Sequence, residues 1–122
     1  MRYLFVSAGV AALLASAGSP SASAHALLRS AIPPVGSTVT TPPTVVTCIY
    51  SEELEPSFST IEVQDAAGHR VDANDLHLAP NDGKRASVSV PHLGAGTYSV
   101  IWHVTSVDTH RTQGHFRFTV TP

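Results

Sequence analysis

The sequence predicts an all-β antiparallel sandwich. Three observations carry this. Apolar residues recur with a period of two rather than 3.6, turn signals separate the apolar runs at short intervals, and no stretch of useful length carries an amphipathic helical pattern. Side chains alternate between the two faces of a strand, so a period of two buries one face and solvates the other. Several short strands divided by turns pack as two layers.

The opening residues stand apart from this pattern. Arg2 supplies a positive charge, Leu4 to Ala17 is mostly apolar and uncharged, and Gly18, Ser19 and Pro20 break a helix. Ala22-Ser23-Ala24 then matches the small-x-small cleavage pattern, so residues 1–24 read as a cleaved secretory signal peptide. The alternative is a membrane anchor, but the apolar run is about 14 residues where a spanning helix needs about 20. Cleavage after Ala24 leaves one domain, residues 25–122, which begins at His25. A chain of 98 residues buries a modest core, about 60–70% of its unfolded surface.

Each element follows from local pattern. "AIPPVGSTVTTPPT" (31–44) is an extended arm or edge strand, because its four prolines cannot donate to a central ladder. "TVVTCIYS" (44–51) puts Val46, Cys48 and Tyr50 on one face. "FSTIEVQD" (58–65) offers Phe58, Ile61 and Val63, with a break in phase after Phe58. "ASVSVPHL" (86–93) gives Val88 and Val90. "GTYSVIWHVTS" (96–106) gives Tyr98, Val100, Trp102 and Val104, and "GHFRFTVTP" (114–122) gives Phe116, Phe118 and Val120. Turns are expected at Pro42-Pro43, Ala67-Gly68, Asn81-Asp82-Gly83 and Gly94-Ala95-Gly96.

Charge and cysteine content exclude several classes of function. After Ala24 there are six Lys and Arg against nine Asp and Glu, a formal charge of -3 with no basic patch. Nucleic acid and anionic membrane surfaces are therefore poor partners. No later apolar stretch approaches membrane length, so a soluble, exported monomer, periplasmic or secreted, is expected. A single cysteine allows no internal disulfide. Cys48 alternates in phase with Val46 and Tyr50, as a buried core thiol would. The alternative is a blue-copper thiolate, which needs two histidines and usually an axial methionine. The only methionine is Met1, in the leader, so that site and any thioether site for Cu(I) are excluded.

"SVDTHRTQGHFRF" (106–118) carries the chemistry. Asp108 and His110 lie two apart, just past the strand that ends near Val104. In an extended segment such side chains point the same way, and a carboxylate and an imidazole converge on one spot. The alternative is a capped turn, with Asp108 bonding backbone amides and His110 in solvent; these residues alone leave both readings open. A free N-terminal His25 adds an α-amine and a ring nitrogen within one residue. With His110 and Asp108 the set becomes N3O, which suits tetragonal Cu(II). The α-amine titrates near 7.7–8.0 when unperturbed, so metal must displace a proton there and affinity falls in acid.

Three segments together resemble the CopC family of periplasmic copper-binding proteins. "HALLRSAIPPVGSTV" is similar to that family's mature start, and "VVTCIYSEELEPSFSTIEVQDAAGHRV" to its strand, Ser-Glu and strand pattern. "GTYSVIWHVTSVDTHRTQGHFRFTV" resembles its C-terminal signature, Ser-x-Asp-x-His between a Tyr-x-Val-x-Trp strand and a closing Gly-x-Phe-x-Phe strand. The resemblance covers essentially all of 25–120. It implies a cupredoxin-like, immunoglobulin-like sandwich of about seven strands. It places the family's Cu(II) ligands on His25, Asp108 and His110, one Cu(II) per chain. It implies a carrier, not an enzyme, in copper homeostasis or resistance, with handover to a CopD-like inner-membrane protein. Two departures matter. Thr109 stands where many relatives have glycine, which stiffens the Asp-to-His turn, and there is no methionine-rich loop for Cu(I). With neither a CopD fusion nor a membrane anchor in this chain, a free-standing Cu(II)-only carrier is implied.

The remaining histidines have plainer readings. His103 and His115 fall on the face opposite the aromatic residues; if their strands pair they are neighbours, either solvated or forming a weak second metal site. His69, His77 and His92 sit in or beside turns, at the surface. Two rival functions compete. A histidine-brace copper oxidoreductase resembling lytic polysaccharide monooxygenases shares the N-terminal chelate. However, 98 residues leave little room for a flat substrate surface, and Asp108 would fill a position that oxygen needs open. A metal-free immunoglobulin-like interaction module makes a free His25 a coincidence.

Overall fold

The structure, a computed structural model, describes residues 26–122. Eight strands follow in order: β1 (Leu28–Ile32), β2 (Thr38–Val39), β3 (Val45–Tyr50), β4 (Thr60–Gln64), β5 (His77–Ala79), β6 (Asp82–Ser89), β7 (Gly96–Thr105) and β8 (Arg111–Val120). They form two four-stranded sheets, ordered β1-β3-β6-β5 and β2-β8-β7-β4. This is the expected all-β sandwich. It is not wholly antiparallel, because β2 pairs with β8 in parallel. The Pro-rich arm explains both that and the count of eight. It carries the end of β1 and all of β2, which give one edge to each sheet, and Pro33 and Pro34 fall in the crossing between them. Gly36 makes that crossing at φ 72, and its amide bonds the Arg117 carbonyl at 2.7 Å.

The inward faces are those read from the alternation. Val46, Cys48 and Tyr50 meet Ile61, Val63, Val88, Val90, Tyr98, Val100, Trp102, Val104, Phe116, Phe118 and Val120 in one buried cluster. Phe58 is the exception. Pro56 opens a 3-10 turn, Pro56–Phe58, that takes Phe58 out of the strand phase, and its side chain is 68% exposed. Two boundaries also move. The turn before β6 is Pro80-Asn81, with Asn81 at φ 60, so Asp82 and Gly83 already belong to the strand. β8 starts at Arg111 rather than near Gly114.

Two pieces of packing fix the β7–β8 hairpin, whose ladder pairs Gly96 with Val120 at one end and Thr105 with Arg111 at the other. Trp102 lies directly across from Gly114, and its ring covers the space where a β-carbon at 114 would stand. The Tyr50 ring meets Trp102 edge-on, 5.4 Å between centroids at 74°. Such aromatic pairs add about 0.5–1.5 kcal/mol beyond burial. Cys48 is fully buried in the facing sheet, and that burial pushes its thiol up to about 12 against a smaller opposing effect of the Tyr50 hydroxyl. A thiol so placed stays protonated and inert.

Candidate metal centre

The β7–β8 ladder stops at Thr105 and Arg111, which leaves Ser106 to His110 as the loop at the hairpin tip. Ser106 is its fixed point. It is fully buried, bridges to Leu54, donates its amide to the His110 carbonyl at 2.9 Å and accepts the Thr109 amide at 2.8 Å. Its hydroxyl donates to the Asp108 carboxylate. His110 Nδ1 lies 3.3 Å from Asp108 Oδ2, and the two side chains are 40% and 50% exposed for Asp108 and His110 respectively.

The structure therefore brings Asp108 and His110 together, but by a different route from the extended segment expected. Thr109 adopts φ 73, and the tight turn folds the two side chains onto each other. The Asp108 carboxyl is held below its ordinary range, first by the Ser106 hydroxyl and then by the His110 ring. It is consequently an anion at neutral pH, and it presents one oxygen donor beside one imidazole. The spacing in sequence signalled the pair. Ser106 was visible only as the serine of the Ser-x-Asp-x-His pattern, and its role as an anchor needed the structure.

A β-branched residue at φ 73 is strained, since left-handed backbone costs an L-residue roughly 1–2 kcal/mol. Thr109→Gly removes that strain and costs about 0.5–1 kcal/mol in unfolded-state freedom. Chemical denaturation should show Thr109→Gly to be more stable than the parent by about 0.5–1 kcal/mol. A loss of stability would mean that the Thr109 side chain, whose hydroxyl bonds the Asp108 carbonyl, holds the loop.

Among the described residues no group of three or more His, Cys, Asp or Glu comes together. The third expected ligand, His25, lies outside the described residues, as does the signal segment 1–24. The chain just after it is well placed. Ala26 is fully buried, and its carbonyl accepts the Thr112 hydroxyl at 2.7 Å, two residues from His110. Leu27 donates its amide to Ser51 Oγ and accepts the Ser51 amide, both at 2.8 Å.

A second loop, which the sequence marked by its Ser-Glu pattern but not as part of the site, comes to this end. Leu54 bridges Ser106, the Val107 amide bonds the Glu53 carbonyl at 3.0 Å, and the Glu55 amide bonds the Thr105 carbonyl at 2.8 Å. Glu52, Glu53 and Glu55 thus flank the hairpin tip and add negative charge there. The acidic run "SEELE" was the available signal. The other histidines are exposed. His69 lies 3.7 Å from Asp65, and His77 Nδ1 donates to the Asp75 carbonyl at 3.0 Å.

Several known proteins are similar to this chain. The CopC domain family matches residues 28–121. The protein YobA of Escherichia coli K12 is 35% identical over 112 residues, covering 91% of this chain and 90% of its own. A copper resistance protein C of Xanthomonas campestris pv. juglandis is 35% identical over 117 residues, with 91% and 89% covered. Among solved structures, CopC from Methylosinus trichosporium OB3b aligns at a TM-score of 0.76 and 28% identity, over 80% of this chain and 95% of that one. PcoC, a methionine-rich copper resistance protein from Escherichia coli, aligns at 0.66 and 32% identity, over 80% and 99%. The chain belongs to the CopC family.

Proposed function

We propose that this chain is exported, loses residues 1–24, and then binds one Cu(II) through the His25 α-amine and imidazole, Asp108 and His110. It is a carrier or sequestering protein in copper resistance or homeostasis, with a CopD-like membrane protein as the acceptor. The observation that carries this reading is the hairpin tip. A carboxylate kept ionised by Ser106 meets an imidazole at 3.3 Å, and Ala26 is tied to Thr112 two residues away. Consecutive Cα atoms are about 3.8 Å apart, so the tie of Ala26 to Thr112 supports a His25 amine within reach of His110. Nitrogen-rich donors with one carboxylate suit Cu(II), which heads the divalent affinity order.

Copper is preferred over other cargo because relatives of similar length are named as copper resistance proteins. Oxidoreductase chemistry is the weaker reading: Asp108 offers its oxygen to the position that a reacting oxygen would need.

Titration of the mature protein with Cu(II), followed by electron paramagnetic resonance and visible absorption, tests the assignment. One tight equivalent with a tetragonal signature and no intense blue band is expected, because the Cys48 thiol is buried and protonated. An intense charge-transfer band that disappears in Cys48→Ser would overturn it.

A further inference from the structure

We propose that the outer face of the β7–β8 hairpin carries a second, weaker divalent-metal site, formed by His103 and His115 with Gln113 as a third donor. Its cation would be of the borderline class that favours imidazole, such as Cu(II), Ni(II) or Zn(II). This site is independent of the tip residues and of His25.

The strand register places the donors. His103 pairs with Gln113, and Ile101 pairs with His115. The two histidines are therefore diagonal neighbours on adjacent strands, on the face opposite Trp102 and Phe116. Both are exposed. Diagonal partners in an antiparallel pair stand about 7–8 Å apart at Cα, within reach of long side chains. Two imidazoles at that spacing can turn toward one ion at the usual metal–nitrogen distance of about 2.0–2.1 Å.

The surface between them is hollow rather than filled. Ile101, His103, Gln113, Gly114 and His115 line one shallow depression. Gly114 lies in the depression as backbone only, since a β-carbon there would point inward to the Trp102 ring and away from this face.

Neighbouring charges make the site weak. Arg111 and Arg117 share this face on β8 and oppose a cation. Glu62 on β4 pairs with Ile101 and favours one, but it also faces Arg70. With two imidazoles and one amide, and no carboxylate of its own, the site should fill only after the hairpin tip.

The test is a Cu(II) titration of the isotope-labelled mature protein, read by paramagnetic broadening of backbone amide signals. The first equivalent should broaden the loop around Asp108 and His110. The second should broaden His103, Gln113 and His115. Both histidines are exposed, so His103→Ala and His115→Ala should keep the melting temperature of the parent. Each should weaken the second equivalent at least tenfold and leave the first within twofold. In His110→Ala the His103 and His115 signals should still broaden, which separates this site from the tip. A second equivalent that survives the double substitution, or that broadens His69, His77 or His92 instead, would overturn the proposal. So would the absence of any second equivalent in the parent at millimolar Cu(II).

Discussion

Replacing Trp102 with alanine is expected to cost the metal-free protein about 3–5 kcal/mol. Trp102 is 7% exposed, pairs across the hairpin with Gly114, and takes the edge of Tyr50 from the opposite sheet at 5.4 Å. It is therefore a contact between both sheets, and its removal leaves a cavity that flanking valines cannot fill. Total stability of a domain this size is about 5–15 kcal/mol, so the loss is about a fifth of it or more. Denaturant titration of the metal-free variant measures it directly. A cost under about 1 kcal/mol would mean that Trp102 is not a core residue and that the phase of β7 is misassigned.

His110→Ala should give the opposite profile. The His110 side chain is half exposed at the loop tip, and loop geometry is set by Ser106 through backbone bonds that alanine keeps. Stability of the metal-free protein should change by less than about 1 kcal/mol. Cu(II) affinity should fall at least about 100-fold, or about 2.8 kcal/mol, because the proposed set would lose one of its three nitrogen donors. Competition against a chelator of known affinity reads this. If stability collapsed while affinity held, His110 would be a structural residue and the donor set would be wrong.

Much of this was legible in the sequence, for physical reasons that differ by element. The faces of β3, β7 and β8 were readable because alternation of β-branched and aromatic residues is what a half-buried strand requires. Asp108 and His110 were readable because two residues apart in a short connection leaves few ways to separate them. Phe58 was misread because an isolated apolar residue before a phase break does not say on which side of the break it belongs. β5, only His77–Ala79, carries too few residues to show a period. The parallel pairing of β2 was hidden because a two-residue strand has no pattern, and its place depends on where the proline arm crosses between sheets. The left-handed turn at Thr109 was foreshadowed only by the glycine that the family resemblance implies there. Ser106 as an anchor is a tertiary fact: it is buried and bridged to Leu54, far away in sequence.

In the proposed site the α-amine of His25 is a ligand, so proteolytic processing would complete it. One measurement tests it most directly: Cu(II) affinity of the mature protein against the same protein with one alanine added before His25. Every side chain and side-chain charge is unchanged. The amine moves by one residue, and the nitrogen now attached to His25 is an amide that holds its proton far more tightly. The short chelate between the amine and its own imidazole is lost. The account predicts a drop of at least about tenfold, or 1.4 kcal/mol, with an altered paramagnetic resonance spectrum and an unchanged circular dichroism spectrum of the metal-free form. An extended protein that binds Cu(II) as tightly as the mature one, with the same spectrum, would contradict it and reduce the site to Asp108 and His110 alone.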